Sequence, residues 1–244
     1  MGSEGPAIRL EKDEGIAVIT LNRPERLNAF NIEMRDQLYE MILSIRDDPT
    51  VDAVVICGEG RAFCAGADLT EFGTMPTVIK KRKVRLQHDL WEEIRRLPKP
   101  VAAALHGFAV GSGLEMAMLC DFRFAAPQTQ LSLPEAKLGM LPAAGGTQSL
   151  PRLVSHGVAL EFALCGERMT AEEAYKRRLI SKIVPIDELK PSVIAYMKAI
   201  VKNNEKSSCW IKSLVAGSMD ISVSQGISRE KIFVERSWAL RKKV

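Results

Sequence analysis

The 244-residue sequence has no apolar run long enough to cross a bilayer as a helix. It begins with a small, polar stretch, Met1-Gly2-Ser3-Glu4-Gly5-Pro6, rather than a hydrophobic leader. Its five cysteines (Cys57, Cys64, Cys120, Cys165, Cys209) are scattered, odd in number and form no C-x-x-C pair. Disulfides and structural zinc are therefore not expected, and a cytoplasmic setting is. The three histidines (His88, His106, His156) stand apart with no metal-ligand spacing. His106 ends an apolar strand, where packing is the more ordinary role of an imidazole. The positive excess, +4, is too small to argue for a nucleic-acid partner. One basic cluster stands out: Lys80, Lys81, Arg82, Lys83 and Arg85. It reads either as a solvated helix face or as an electrostatic collar for a phosphorylated ligand, and it has no interleaved aromatics.

Several nucleotide and hydrolase motifs are missing too. Gly111-Ser112-Gly113-Leu114-Glu115-Met116 lacks the third small residue of a dinucleotide fingerprint, and no phosphate loop ends in Gly-Lys-Ser/Thr. Ser112 has glycine directly on both sides, so it does not fit the G-x-S-x-G elbow. There is no low-complexity tract. What remains is an ordinary globular composition, 46% hydrophobic and 26% charged. It is long enough to bury a substantial core as one large domain or a domain plus an appendage.

Pattern divides the chain. Ile8 to Glu11 and Ile16 to Leu21 predict two strands around an Asp13-Glu14-Gly15 turn. Met34, Leu38, Met41, Ile42 and Ile45 fall at helical spacing and predict a helix from about Asn31 to Asp47. Val51 to Cys57 and Val101 to Leu105 read as buried strands. Between them a helix carrying the basic cluster is expected to run on through Trp91-Glu92-Glu93-Ile94 to a stop at Lys99-Pro100. His106 to Gly113 reads as a glycine-punctuated loop, Leu114 to Cys120 as a short apolar helix, and Phe122 to Ala125 as a strand. Alternation of strands and helices predicts an α/β domain with parallel strands. The loose recurrence of a strand–loop–helix unit near 51 and 101 hints at a spiral. From the capping-box pattern Thr170-Ala171-Glu172-Glu173 onward the chain turns helical, with helices expected to begin near Pro191 and Ser228. The division expected is a core over 1–190 and a helical oligomerisation region over 191–244.

Four loops could carry chemistry. Ala65-Gly66-Ala67-Asp68-Leu69 is either a tight turn with Asp68 as N-cap or a backbone approach to a ligand. Val110-Gly111-Ser112-Gly113 opens a helix N-terminus suited to developing negative charge. Glu115, in that helix's first turn, either complements the dipole or is a partly buried acid of raised pKa. Glu135, within Leu133-Pro134-Glu135-Ala136-Lys137-Leu138-Gly139, is either a surface partner of Lys137 or a second working carboxyl. Leu141-Pro142-Ala143-Ala144-Gly145-Gly146-Thr147 opens the next helix. Two N–H groups on separate glycine turns can make an oxyanion hole, and two carboxyls can serve as acid and base.

These loops, in this order, resemble the enoyl-CoA hydratase/isomerase family, the crotonase superfamily. The likeness runs from Ile8 to about Leu189. It is carried by Asn22-Arg23-Pro24-Glu25-Arg26-Leu27-Asn28-Ala29-Phe30, by Ala62-Phe63-Cys64-Ala65-Gly66-Ala67-Asp68-Leu69, by His106 through Glu115, by Leu133 through Gly139, and by Pro142 through Gln148. The resemblance implies a crotonase-like spiral of ββα units followed by a helical C-terminal region, assembled as a homotrimer or a hexamer (a dimer of trimers). It implies an acyl-CoA thioester substrate of fatty-acid β-oxidation chemistry, and no metal or redox cofactor. By matching positions, the N–H groups of Ala67 and Ser112 would hold the thioester oxygen. Ala65, Gly66, Ala67 and Asp68 would line the CoA pocket, joined by Gly111 and Ser112, with Arg26 near the CoA phosphates. Glu115 would hold and deprotonate water, and Glu135 would deliver a proton to the α-carbon. The activity implied is hydration of a trans-2-enoyl-CoA. Its rivals are Δ3,Δ2-isomerisation, for which the Glu135 position alone generally suffices, a carnitinyl-CoA-type dehydratase, and a non-catalytic CoA- or RNA-binding relative. The chain departs from the family in three ways. Ser112 replaces the usual glycine and requires negative φ to present its N–H. Ala143 stands where hydratases often carry a glycine beside the water. The chain ends at Val244, short of the usual final helix, so part of the CoA pocket or trimer contact is expected to be made differently.

Overall fold

The computed structural model describes residues 5–71, 88–202 and 205–241. The chain opens with a hairpin of β1 (Ile8–Asp13) and β2 (Ile16–Leu21), paired from Ile8↔Leu21 to Asp13↔Ile16. Glu14 and Gly15 turn it at φ 46° and 83°, the doubly positive geometry that matches strand twist. From β2 the sheet continues in parallel through β3 (Ala53–Gly58), β4 (Val101–Leu105), β6 (Phe122–Ala125) and β9 (Lys182–Ile183). A second layer holds β5 (Phe108–Val110), β7 (Gln130–Ser132) and β8 (Met169–Thr170). Two lone parallel bridges, Phe30↔Ala67 and Cys64↔Ala109, carry β-pairing beyond these strands. β2, β3, β4 and β6 are thus each followed by a short piece of extended chain, and these pieces pair with one another. That is the spiral the recurrence at 51 and 101 hinted at.

The helices among the described residues are α1 (Ile32–Asp47), α2 (Leu90–Arg96), α3 (Ser112–Leu119), α4 (Gly146–Leu153), α5 (His156–Cys165), α6 (Ala171–Lys176), α7 (Ile186–Val201), α8 (Glu205–Ala216) and α9 (Val223–Arg241). The large sheet is buried on both faces, which explains why its parallel strands read as unbroken apolar runs. Alternate residues divide between two cores. Ile19, Val54, Ile56, Ala103 and Leu105 join Met34, Leu38, Ile42 and Ile45 of α1, with Leu90, Ile94 and Leu114. Val18, Ala53, Val55, Ala102, Ala104 and Phe124 meet Leu189, Val193, Met197 and Val201 of α7. Each such large aliphatic side chain contributes about 1.5–3 kcal/mol by leaving water. Asn31 caps α1 by accepting from Met34 N–H, and Thr170 with Glu173 forms the expected capping box of α6.

Several expectations shift. The His106–Gly113 stretch contains β5, three residues too short for a periodic signal. The helix expected from Pro191 begins at Ile186, with Pro191 inside it, so the division at 190/191 falls within α7, whose apolar stripe covers the large sheet. α8 was not foreseen, and the last helix begins at Val223 rather than Ser228. Trp91 to Ile94 lie in a helix that starts at Leu90 with its own N-cap, Asp89. The basic cluster lies outside the described residues. No helix among the described residues is long and apolar enough to cross a membrane.

Candidate active site

A cavity of about 450 Å³ opens where the second layer meets α1, α2 and α3. Its floor is main chain. Cys64 N–H donates to Phe108 O (2.9 Å) and Val110 N–H to Cys64 O (3.0 Å), fixing one edge of the Cys64–Asp68 segment. Phe30 N–H donates to Gly66 O (2.7 Å) and Asp68 N–H to Phe30 O (3.0 Å), fixing the other. In such a parallel bridge the bonds to Phe30 come from the residues flanking Ala67, so Ala67's own N–H faces away from Phe30. Ser112 is the first residue of α3, where an N–H has no intrahelical acceptor. Ala67 and Ser112 both line the cavity, and among the described residues neither N–H finds an acceptor. Ser112 is absent from the residues at positive φ, so serine is tolerated there. Gly111 before it is at φ 51°, ψ −126°, and a Cβ there would lie 2.8 Å from Glu135 Oε1. The backbone conformation calls for glycine at that position, and its missing side chain leaves room for the Glu135 carboxyl.

Glu115 is 2% exposed, on the first turn of α3. Its Oε1 accepts from Ala144 N–H and Gly146 N–H, both at 2.8 Å, and Ala143 N–H also donates to the carboxyl. A Cβ at Gly146 would reach within 2.8 Å of Glu115 Oε1, so glycine lets the loop close on the carboxyl. Burial pushes Glu115 above the usual carboxylate range; the three N–H groups oppose this in part, and the charge of Glu135 adds to it. Of the two alternatives from sequence, the geometry is that of a buried acid, not a surface carboxylate facing a dipole. Ala143, where a glycine was expected, acts here through its backbone.

Glu135 begins a short 3-10 turn, Glu135–Leu138, and lines the same cavity. Its proposed surface partner is taken: Lys137 Nζ pairs with Glu167 Oε1 at 2.6 Å. Burial raises the Glu135 pKa, and Oε2 is buried without a hydrogen-bond partner among the described residues. Of the anticipated site residues, Ala65, Gly66, Ala67, Gly111, Ser112, Glu115 and Glu135 converge on the cavity. Arg26 does not line it; it is exposed on the turn Pro24–Arg26. Asp68 is also outside the lining. Its Oδ1 accepts from Thr70 Oγ1 (2.7 Å) and Thr70 N–H (3.1 Å), and Arg23 pairs with Oδ2 at 3.0 Å. Thr70 and Arg23 hold its pKa down, so the turn-capping alternative fits Asp68.

Other participants were not read from sequence. Asn28, fully buried, donates through Nδ2 to Glu59 O (2.9 Å) and Ala62 O (2.7 Å) and accepts from Arg23 N–H (2.8 Å). It ties the 23–30 segment to the chain entering the cavity floor. Phe30 and Trp91, with ring centroids 5.3 Å apart, line the cavity with Leu138, Met140 and Leu141. Helical spacing had marked only the α1 stripe, because a residue that packs toward a cavity looks in sequence like one that packs in a core. Among the described residues no group of three His, Cys, Asp or Glu is placed to hold a metal.

The chain is similar to known proteins along most of its length. Residues 11–236 match the family described as Enoyl-CoA hydratase/isomerase. A crotonyl-CoA hydratase of Syntrophomonas wolfei subsp. wolfei is 34% identical over 91% of this chain and 86% of its own length. The crystal structure of an enoyl-CoA hydratase from Bacillus anthracis superposes with a TM-score of 0.89 at 32% identity, covering 94% of this chain and 90% of that one. A protein from Thermobifida fusca YX, solved in complex with CoA, gives a TM-score of 0.92 at 28% identity, covering 98% of this chain and 95% of that one.

Proposed function

This chain belongs to the enoyl-CoA hydratase/isomerase family and has the crotonase fold, and we propose that it adds water across the double bond of a trans-2-enoyl-CoA thioester. The observation that carries this reading is the pairing of two raised-pKa carboxyls with two unpartnered N–H groups around one cavity. The thioester oxygen takes the N–H groups of Ala67 and Ser112. Water held by Glu115 attacks the β-carbon and gives its proton to that carboxylate. The π pair moves to the thioester, and the enolate oxygen gains charge where the two donors are already fixed; one such donor contributes about 3 kcal/mol. Glu135, whose pKa burial raises, serves as the acid and gives a proton to the α-carbon. Glu115's raised pKa makes it a stronger base than a free carboxylate. A proton returned from Glu115 to Glu135 by way of solvent restores both carboxyls; the atoms then balance with water and two carboxyls, and no metal or redox cofactor is called for. CoA enters as part of the substrate, along Ala65–Ala67 and Gly111–Ser112. We further propose assembly as a trimer or hexamer, supported by exposed apolar side chains on α8 and α9, and a cytoplasmic setting, supported by the scattered cysteines.

The test is paired. Glu135→Gln should abolish both hydration of crotonyl-CoA and isomerisation of a 3-enoyl-CoA, each by about 10²–10⁴-fold. Glu115→Gln should lose hydration by a similar factor while retaining more of any isomerisation. Near-normal hydration by the Glu115 variant would remove it as the water base and move the assignment toward an isomerase.

A further inference from the structure

Among the described residues, two buried side-chain oxygens lack a hydrogen-bond partner, Ser112 Oγ and Glu135 Oε2, and both residues line the one cavity. Buried polar atoms without partners are rare in folded chains and each calls for a reason. For Glu135 the reason follows from the proposed reaction. An acid that protonates carbon has no heteroatom to bond beforehand, and a protein partner would hold the proton back.

Ser112 Oγ needs a different reason. A buried hydroxyl left unpaired costs about 1–3 kcal/mol, and alanine would avoid that cost without changing the N–H. The hydroxyl belongs to a residue that lines the cavity at the N-terminus of α3 and whose N–H has no acceptor among the described residues. What suits it is an acceptor delivered with the ligand, beside the acceptor that the N–H takes. We propose that the Ser112 hydroxyl is a third donor to the thioester oxygen, so that Ser112 supplies two hydrogen bonds and Ala67 one. This rests on the hydratase reading above and departs from the sequence expectation that only the Ser112 N–H matters.

The experiment compares wild type with Ser112→Ala and Ser112→Thr. It uses hydration of crotonyl-CoA and binding of 3-phenyl-2-propenoyl-CoA, a conjugated thioester whose absorbance moves to longer wavelength as its carbonyl is polarised. Losing one of three donors should lower kcat by roughly tenfold, less than the 10²–10³ typical of a single dominant donor, with KM changed by less than about threefold. The red shift of the bound chromophore should shrink in Ser112→Ala and recover in Ser112→Thr. The Tm of Ser112→Ala should equal or exceed that of wild type, since no protein bond is lost. Unchanged kcat and red shift would overturn the proposal. So would a lowered Tm, which would mean that the hydroxyl has a protein partner. A fall in kcat accompanied by a displaced pH–rate profile would assign the hydroxyl to the Glu135 carboxylate instead. If wild type binds the chromophore with a red shift but does not hydrate crotonyl-CoA, the hydratase reading fails, while the red shift of the variants still decides the role of the hydroxyl.

Discussion

Burial disfavours the charged form of the Glu135 carboxyl. Its folded pKa is raised by burial above the ordinary 4.5. The linkage is that of a raised group: its contribution to stability is whole below 4.5 and is lost as pH climbs through the folded value. Glutamine keeps the shape and never ionises. Glu135→Gln should therefore match wild type in Tm at acid pH and exceed it at pH 7–8, by on the order of 2 °C for a chain of this size. Thermal melts across pH 4–8 measure this, and a variant less stable than wild type at pH 8 would contradict it. At this scale the sequence was informative about residue type and poor about environment. Nothing in Leu133 through Gly139 says that Lys137 turns to Glu167, because the partner is thirty residues away. Asp68 is the contrary case, since its cap partner Thr70 lies two residues on and the short-range signal matches the bonds it accepts.

The segment from Arg23 to Phe30 is the element that holds the main-chain floor of the cavity, through Phe30 bonded to Gly66 and Asp68. Leu27 and Asn28 sit at φ 51° and 55°, a left-handed pair that non-glycine residues seldom adopt. The buried Asn28 amide holds that shape by donating to Glu59 O and Ala62 O. Asn28→Asp would leave both carbonyls without donors, at about 1–3 kcal/mol each. The expected outcome is a lower urea midpoint together with a lower kcat in the folded enzyme at little-changed KM. A stability loss with full kcat would show that Ala67 is positioned without Asn28. Sequence presents Asn28 only as a turn former, since its partners lie more than thirty residues on. α7 illustrates a different failure. Pro191 resembles a first-turn proline, yet Glu188 N–H already donates to Pro185 O (3.0 Å), so the helix is under way before the proline arrives. The three-residue strand β5 is likewise below the length at which alternation can be read.

Across the whole molecule, the large sheet and its two cores were legible because apolar runs and the α1 stripe record burial directly. The fate of the last two helices was only partly so. Among the apolar residues of these helices, Phe233 is half-buried against Trp210 within the chain, at 5.8 Å between centroids. Ile227 and Trp238 are exposed, as are Ile211, Val215, Met219 and Val223. Exposed large apolar side chains gathered on two helices suit a face that meets another copy. Light scattering should report a trimer or hexamer, and Ile227→Glu should shift it toward smaller species; a monodisperse wild-type monomer would refute the assembly. The main-chain floor of the cavity has a consequence for heredity. A gene can rewrite the side chain at position 67 without deleting its N–H, because every residue except proline supplies that donor. Natural variants should therefore drift in letter at 67 while leaving proline out, and should keep glycine at 66, where φ is 100° and a Cβ would lie 3.1 Å from Val110 O. An alanine scan leaves the N–H of residue 67 in place, so it would not register the donor proposed for the thioester oxygen.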